Sequence, residues 1–153
     1  MLSQTTEYAL RVMVYLASRS GEPATIAQIA AATQTPEGYL AKVLRNLALA
    51  ELVRSQRGLH GGSVLARSAK SISVLDVVQA VDPIQRITQC PLGIKSHAAN
   101  LCPLHRRLDE AIALVEKAFA RSSIAELVPE QAGVEPFRDA SVVSRRRKLK
   151  VLR

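Results

Sequence analysis

The sequence predicts a mainly α fold: a winged helix-turn-helix with a two-stranded wing, followed by one long C-terminal dimerisation helix. Three observations predict it. Two short helical segments, each with its own start signal, follow a longer amphipathic one. A glycine-rich hairpin comes directly after the second of them. Apolar residues then recur at helical spacing over 104–119, the longest such stripe in the chain.

Each element has a local cause. Residues 5–18 read as a helix because Tyr8, Val12 and Leu16 recur at every fourth position, and Gly21-Glu22-Pro23 ends it. Thr25-Ile26-Ala27-Gln28 is a capping box that opens a helix to about Thr33. Thr35-Pro36 is a second start, with the Thr35 hydroxyl as N-cap and proline at the first helical position. That third helix runs to about Ala50 and buries Leu40, Val43, Leu44 and Leu47. Leu52–Gln56 and Ser63–Ala66 are expected as strands around the turn Arg57-Gly58-Leu59-His60-Gly61-Gly62, whose glycines allow positive φ and a close approach to DNA. Ser71 or Ser73 starts a short helix over Val74–Val81, and residues 82–101 are irregular. Pro103 opens the longest helix, to about Arg121, striped by Leu104, Leu108, Ile112, Val115 and Phe119. Ser123-Ile124-Ala125-Glu126 is expected as a further capping box. The expected organisation is a DNA-binding domain over 1–81, a cysteine-bearing sensor loop over 82–102, a dimerisation helix and terminal turn over 103–128, and a disordered basic tail over 129–153.

Composition narrows the function classes. The 153 residues carry 48% hydrophobic side chains, enough for one packed core, and no apolar run approaches the ~18 residues that span a bilayer. With no secretory pattern at the start, a cytoplasmic protein without membrane contact is the expectation. The formal charge is +8, but six cations lie within Arg145–Arg153, so the rest of the chain holds eight minus six, about +2. The basic total is mainly a property of the tail and does not by itself define a DNA-binding face. No nucleophile–base pair or phosphate loop appears, and Gly58–Gly62 lacks the Lys-Ser/Thr that follows a P-loop, so an enzyme is not expected.

At this level of detail the chain resembles the Rrf2 family of bacterial transcription regulators, which includes iron–sulfur-cluster and nitric-oxide-sensing repressors. The resemblance covers about residues 1–128. It rests on Thr6-Glu7-Tyr8-Ala9-Leu10-Arg11, on Pro36-x-x-Tyr39-Leu40-x-Lys42-Val43-Leu44-x-x-Leu47, and on Leu52-Val53-x-Ser55-x-Arg57-Gly58-x-x-Gly61-Gly62, followed by cysteines before the long helix. Glu51 stands where the family usually has glycine, and Ser63 where it usually has an aromatic residue. The resemblance implies a homodimer with paired long helices, recognition helices in two major grooves of a double-stranded DNA operator, and wings in the flanking minor grooves.

Two candidate sites follow. The DNA-facing set is Thr35, Glu37, Tyr39, Lys42 and Arg45 on the third helix, with Arg57 and His60 in the wing. The first turn of such a helix meets base edges. Glu37 suits a cytosine amino group, Lys42 and Arg45 suit phosphate, and Arg57 suits a narrow minor groove. Isolated His60 reads as a loop residue or a phosphate contact. The second site is Cys90, His97, Cys102 and His105, spaced C-x6-H-x4-C-x2-H, a set of soft donors suited to an iron–sulfur cluster or to zinc. The three-residue step from Cys102 to His105 puts both on one side of a helix start. By resemblance, Cys90 and Cys102 match the outer two of three sensor cysteines, Ser96 replaces the middle one, and His105 matches a histidine ligand. A fourth ligand is His97, or Glu7 of a partner subunit, which matches a first-helix carboxylate ligand in the family. An iron–sulfur cluster is the first reading, with zinc or a cluster-free regulator as alternatives. The expected function is a repressor responding to redox, nitric oxide or iron status. A metal- or redox-binding adaptor that uses the winged helix for protein contacts is the competing class.

Overall fold

The computed structural model describes residues 2–58, 61–94, 101–129 and 136–137. Five helices and one hairpin follow in the order α1 (Gln4–Ser18), α2 (Ile26–Thr33), α3 (Glu37–Leu49), β1 (Val53–Gln56), β2 (Gly62–Leu65), α4 (Val74–Val81) and α5 (Pro103–Arg121). Single 3-10 turns at Ala69–Ser71 and Ile124–Leu127 flank α4 and close α5.

The start of α1 is capped by Ser3, whose hydroxyl accepts from the Thr6 amide. The Thr25 box at α2 is complete: the Gln28 amide donates to Thr25 Oγ1 at 3.3 Å and the Thr25 amide donates to Gln28 Oε1 at 2.9 Å. Gln34 then turns left-handed at φ 53° and ends the helix. Two expected caps are corrected. The N-cap of α3 is Pro36, not Thr35, and no side chain caps that end. Thr35 is 3% exposed, and its hydroxyl lies 2.9 Å from that of Thr33, which itself donates to the Ile29 carbonyl. The hydroxyl expected at a helix start thus sits inside the turn. At the 3-10 turn after α5, Ser123 caps no backbone amide; its hydroxyl donates to Glu126 Oε1 at 3.0 Å.

The hairpin is antiparallel, with Arg54 opposite Val64 and Gln56 opposite Gly62. It is extended by Ala24, which exchanges both backbone hydrogen bonds with Ser63 at 2.8 and 3.0 Å. That third edge explains Gly62: a Cβ there would lie 2.5 Å from the Ala24 carbonyl oxygen. The backbone of Ser63 is needed in the pairing while its side chain is buried.

The core lies where α1, α3 and α4 meet, and includes Val12, Met13, Leu40, Leu47, Ile72 and Val77, all 0% exposed. The chain returns to this core after α5. Ile124 donates to Ile72 at 2.9 Å, Val74 donates to Ser122 at 2.8 Å, and the Ile124 side chain is fully enclosed. By contrast α5 has no buried residue. It rests on α4, with Phe119 against the core, and leaves Leu104 64%, Leu108 48% and Val115 43% exposed. Ile112 and Phe119 of the expected stripe are half-buried. The expected tail from residue 130 onward lies outside the described residues, apart from Pro136 and Phe137.

Candidate nucleic-acid interface and cysteine pair

Helix α3 divides cleanly. Leu40, Val43, Leu44 and Leu47 enter the core, and Glu37, Tyr39, Lys42 and Arg45 are exposed. No side chain caps the helix start: the Tyr39 and Leu40 amides donate to the Pro36 carbonyl, both at 3.0 Å, and among the described residues the Glu37 and Gly38 amides of the first turn remain open. Open amides at a helix N-terminus attract phosphate. Thr35 drops out of the DNA-facing set because its hydroxyl is enclosed.

Tyr39 is 41% exposed and tied to α1. Its hydroxyl lies 3.1 Å from Thr5 Oγ1, and its ring meets Tyr8 edge-on at 5.6 Å. This braces the first turn of α3 against the first turns of α1. The basic residues Lys42, Arg45 and Arg57 are exposed, and none forms an ion pair among the described residues. Arg54 joins them: it is exposed on β1 and was not singled out from the sequence. The alternation of buried Val53 with exposed Arg54 was the available signal. His60 lies outside the described residues.

At the other candidate site, Cys102 is the N-cap of α5, and its Sγ lies 3.2 Å from His105 Nδ1. Both side chains are half-buried. The sulfur–nitrogen distance is close to the edge of a tetrahedron around one metal ion, about 3.5 Å for usual metal–sulfur and metal–nitrogen bond lengths. The same distance is a hydrogen bond between the two side chains. Cys90 opens a turn in which the Gly93 amide donates to its carbonyl at 3.0 Å. His97 and Ser96 lie outside the described residues. Among the described residues no three His, Cys, Asp or Glu side chains converge on one point, so Cys90 is not brought to Cys102 and His105 within a single chain. Glu7 is exposed and forms an ion pair with Arg11, whose other arm donates to the Thr33 carbonyl at 3.3 Å.

The segment before the cysteines is fastened to α5 by a contact that no sequence pattern announced. Arg86 meets Asp109 through two bonds of 2.6 and 2.7 Å and reaches Glu116 at 3.2 Å, while the Ile87 amide donates to Asp109 at 2.9 Å. Hydrogen bonding from Arg86 and from the Ile87 amide, opposed by partial desolvation, lowers the Asp109 carboxyl to about 2.

Residues 2–130 match the sequence profile of the Rrf2 family, described as an iron-dependent transcriptional regulator. The chain belongs to the Rrf2 family. The named relatives are regulators, not enzymes. One from Mycobacterium tuberculosis (strain H37Rv), named as an HTH-type transcriptional regulator, is 40% identical over 94 residues, 60% of this chain and 58% of its own length. The chain thus spans little more than half the length of that relative. A second, named likewise, from Aquifex aeolicus, is 27% identical over 84% of this chain and 91% of its own. Among solved structures, CymR of B. subtilis, titled the global cysteine regulator, superposes with a TM-score of 0.69 at 24% identity, covering 84% of this chain and 98% of that one. IscR of T. potens superposes at 0.68 and 22% identity, covering 83% and 85%. Both show that this Rrf2 chain has the winged-helix fold of those proteins. No described helix is long and apolar enough to cross a membrane.

Proposed function

We propose that this Rrf2 chain is a cytoplasmic, sequence-specific DNA-binding transcription regulator that acts as a homodimer. The observation that carries the reading is the set of exposed cations without ion pairs among the described residues, Lys42, Arg45, Arg54 and Arg57, on α3 and the hairpin beside an uncapped helix start. In this reading Glu37 and the open amides of α3 meet base edges and phosphate in the major groove, Lys42 and Arg45 grip the backbone, and Arg57 follows the adjacent minor groove. Residues 1–81 supply DNA binding and residues 103–128 the dimer contact. Gel shift against the region upstream of its own gene tests it. Arg57→Ala should weaken binding without unfolding and lower the salt slope by about one unit. Unaltered affinity and slope would remove the wing from the interface, and an absence of any shifted complex would favour the protein-binding adaptor.

Residues 82–102 are proposed as the sensor, with Cys90, Cys102 and His105 holding a metal centre and with His97 or the partner subunit's Glu7 completing it. Support comes from the Cys102–His105 pair at 3.2 Å and from the iron dependence in the family's description. When bound, an iron–sulfur cluster would supply redox- or nitric-oxide-reactive chemistry, whereas zinc would be structural. The chain's own contribution is positional. Arg86 and Ile87 hold the loop to Asp109 of α5, so a change in ligation at Cys102 acts at one end of the helix to which the loop is already clamped. Repression in response to redox, nitric oxide or iron status is the outcome this arrangement serves.

A further inference from the structure

We propose that the groove between α1 and the end of α2 is a docking site for the chain's own Pro136–Phe137, and that this anchor delivers the basic residues 138–153 to the phosphate backbone beside the helix-turn-helix. The inference rests on the DNA-binding reading above. Phe137 shares the groove with Leu10, Val14 and Leu127, and with Glu7, Arg11, Thr33 and Gln34 around them. Pro136 is buried, and Phe137 is 42% exposed. The chain therefore returns to the DNA-binding domain after leaving α5, instead of departing at Val128, which packs on the core.

The position of the anchor gives it a purpose. Thr33 and Gln34 form the turn just ahead of Pro36, the N-cap of the recognition helix. Phe137 is followed by seven basic residues, Arg138, Arg145, Arg146, Arg147, Lys148, Lys150 and Arg153, and by one acidic residue, Asp139. The eight residues from Phe137 to Arg145 span at most about 26 Å at ~3.3 Å each. That is about twice the ~12 Å width of the major groove, a span that allows the cations to meet the backbone flanking a recognition helix seated in it. Measured from Val128, the same tether is 17 residues. Local concentration falls roughly as the −3/2 power of tether length, so the anchor raises that of the tail about threefold.

The test compares the full chain, a variant lacking residues 138–153 and Phe137→Ala, on a mixed-sequence 30-base-pair duplex, with anisotropy read across a salt series. Removing the tail should make the salt dependence of log K shallower by several units, toward ~0.9 for each cation lost. Phe137→Ala should keep the slope and weaken binding about threefold. The chain has no Trp, so Phe137→Trp reports the groove directly. Its emission should be blue-shifted, and should move to that of free indole when Leu10→Arg is added. Equal slopes with and without the tail overturn the proposal while leaving the DNA reading intact. Emission of free indole in Phe137→Trp overturns the anchor, and emission that changes with protein concentration assigns the groove to a second copy instead. A full chain with no salt-dependent binding to any duplex would instead refute the DNA reading itself.

Discussion

Replacing Leu108 by glutamate tests the proposed dimer contact, because this side chain is half exposed on α5 and is not among the residues packed on the core. It is 48% exposed, and α5 buries no residue of its own. Fully burying a leucine is worth about 2 kcal/mol, so covering the exposed half contributes about 1 kcal/mol per copy and about 2 per symmetric dimer. Losing that alone weakens association about 30-fold, at 1.4 kcal/mol per factor of ten. Enclosing two carboxylates opposite apolar residues adds several kcal/mol more, unless they stay wet by splitting the interface. Leu104 at 64% and Val115 at 43% exposure lie along the same stripe. Sedimentation velocity over a concentration series is the assay, with far-UV circular dichroism confirming that the fold survives. The parent should sediment as a dimer and Leu108→Glu as a monomer at micromolar concentration. A variant dimer as tight as the parent, or a parent that stays monomeric throughout, would refute assignment of this face to a second copy.

Further outcomes follow from single contacts. Glu51 holds φ at +56°, a left-handed conformation that costs a non-glycine residue about 1 kcal/mol or more, so Glu51→Gly should raise the melting temperature by a few degrees. Gly62→Ala puts a Cβ against the Ala24 carbonyl and should cost about 2 kcal/mol, a loss of about 4–8 °C in a thermal melt. Asp109 is lowered to about 2 by its bonds to Arg86 and Ile87, so its contribution to stability is complete above the unfolded carboxylate value near 4 and is lost as pH falls through about 2. Chemical denaturation of the parent and Asp109→Asn at stepped pH should show a gap that narrows below about pH 4 and closes as pH falls through about 2. Purified without oxygen, the parent should contain stoichiometric metal and Cys102→Ala should not. A parent without metal, and equal operator binding by both, would leave the cluster-free reading.

Much of the architecture was legible because its causes are local. The Thr25 capping box, the proline at the start of α5 and the spacing of Leu40, Val43, Leu44 and Leu47 each act within one or two helical turns, so they read the same in the sequence as in the structure. The glycines of the hairpin were legible for the same reason, and Gly58 indeed takes φ +112°. The family resemblance was legible too, since its motifs are contiguous phrases. What only the tertiary structure decided depends on residues far apart along the chain. Thr35 has the right chemistry and position for an N-cap, yet burial under the turn gives its hydroxyl to Thr33. Tyr39 is braced by Thr5, 34 positions away, and Arg86 finds Asp109 across 23. The split of the α5 stripe into half-buried Ile112 and Phe119 and exposed Leu104, Leu108 and Val115 arises because α5 packs mainly on α4. Periodicity marks an apolar face, but which part of that face meets its own core and which stays exposed is set by the packing of the other helices.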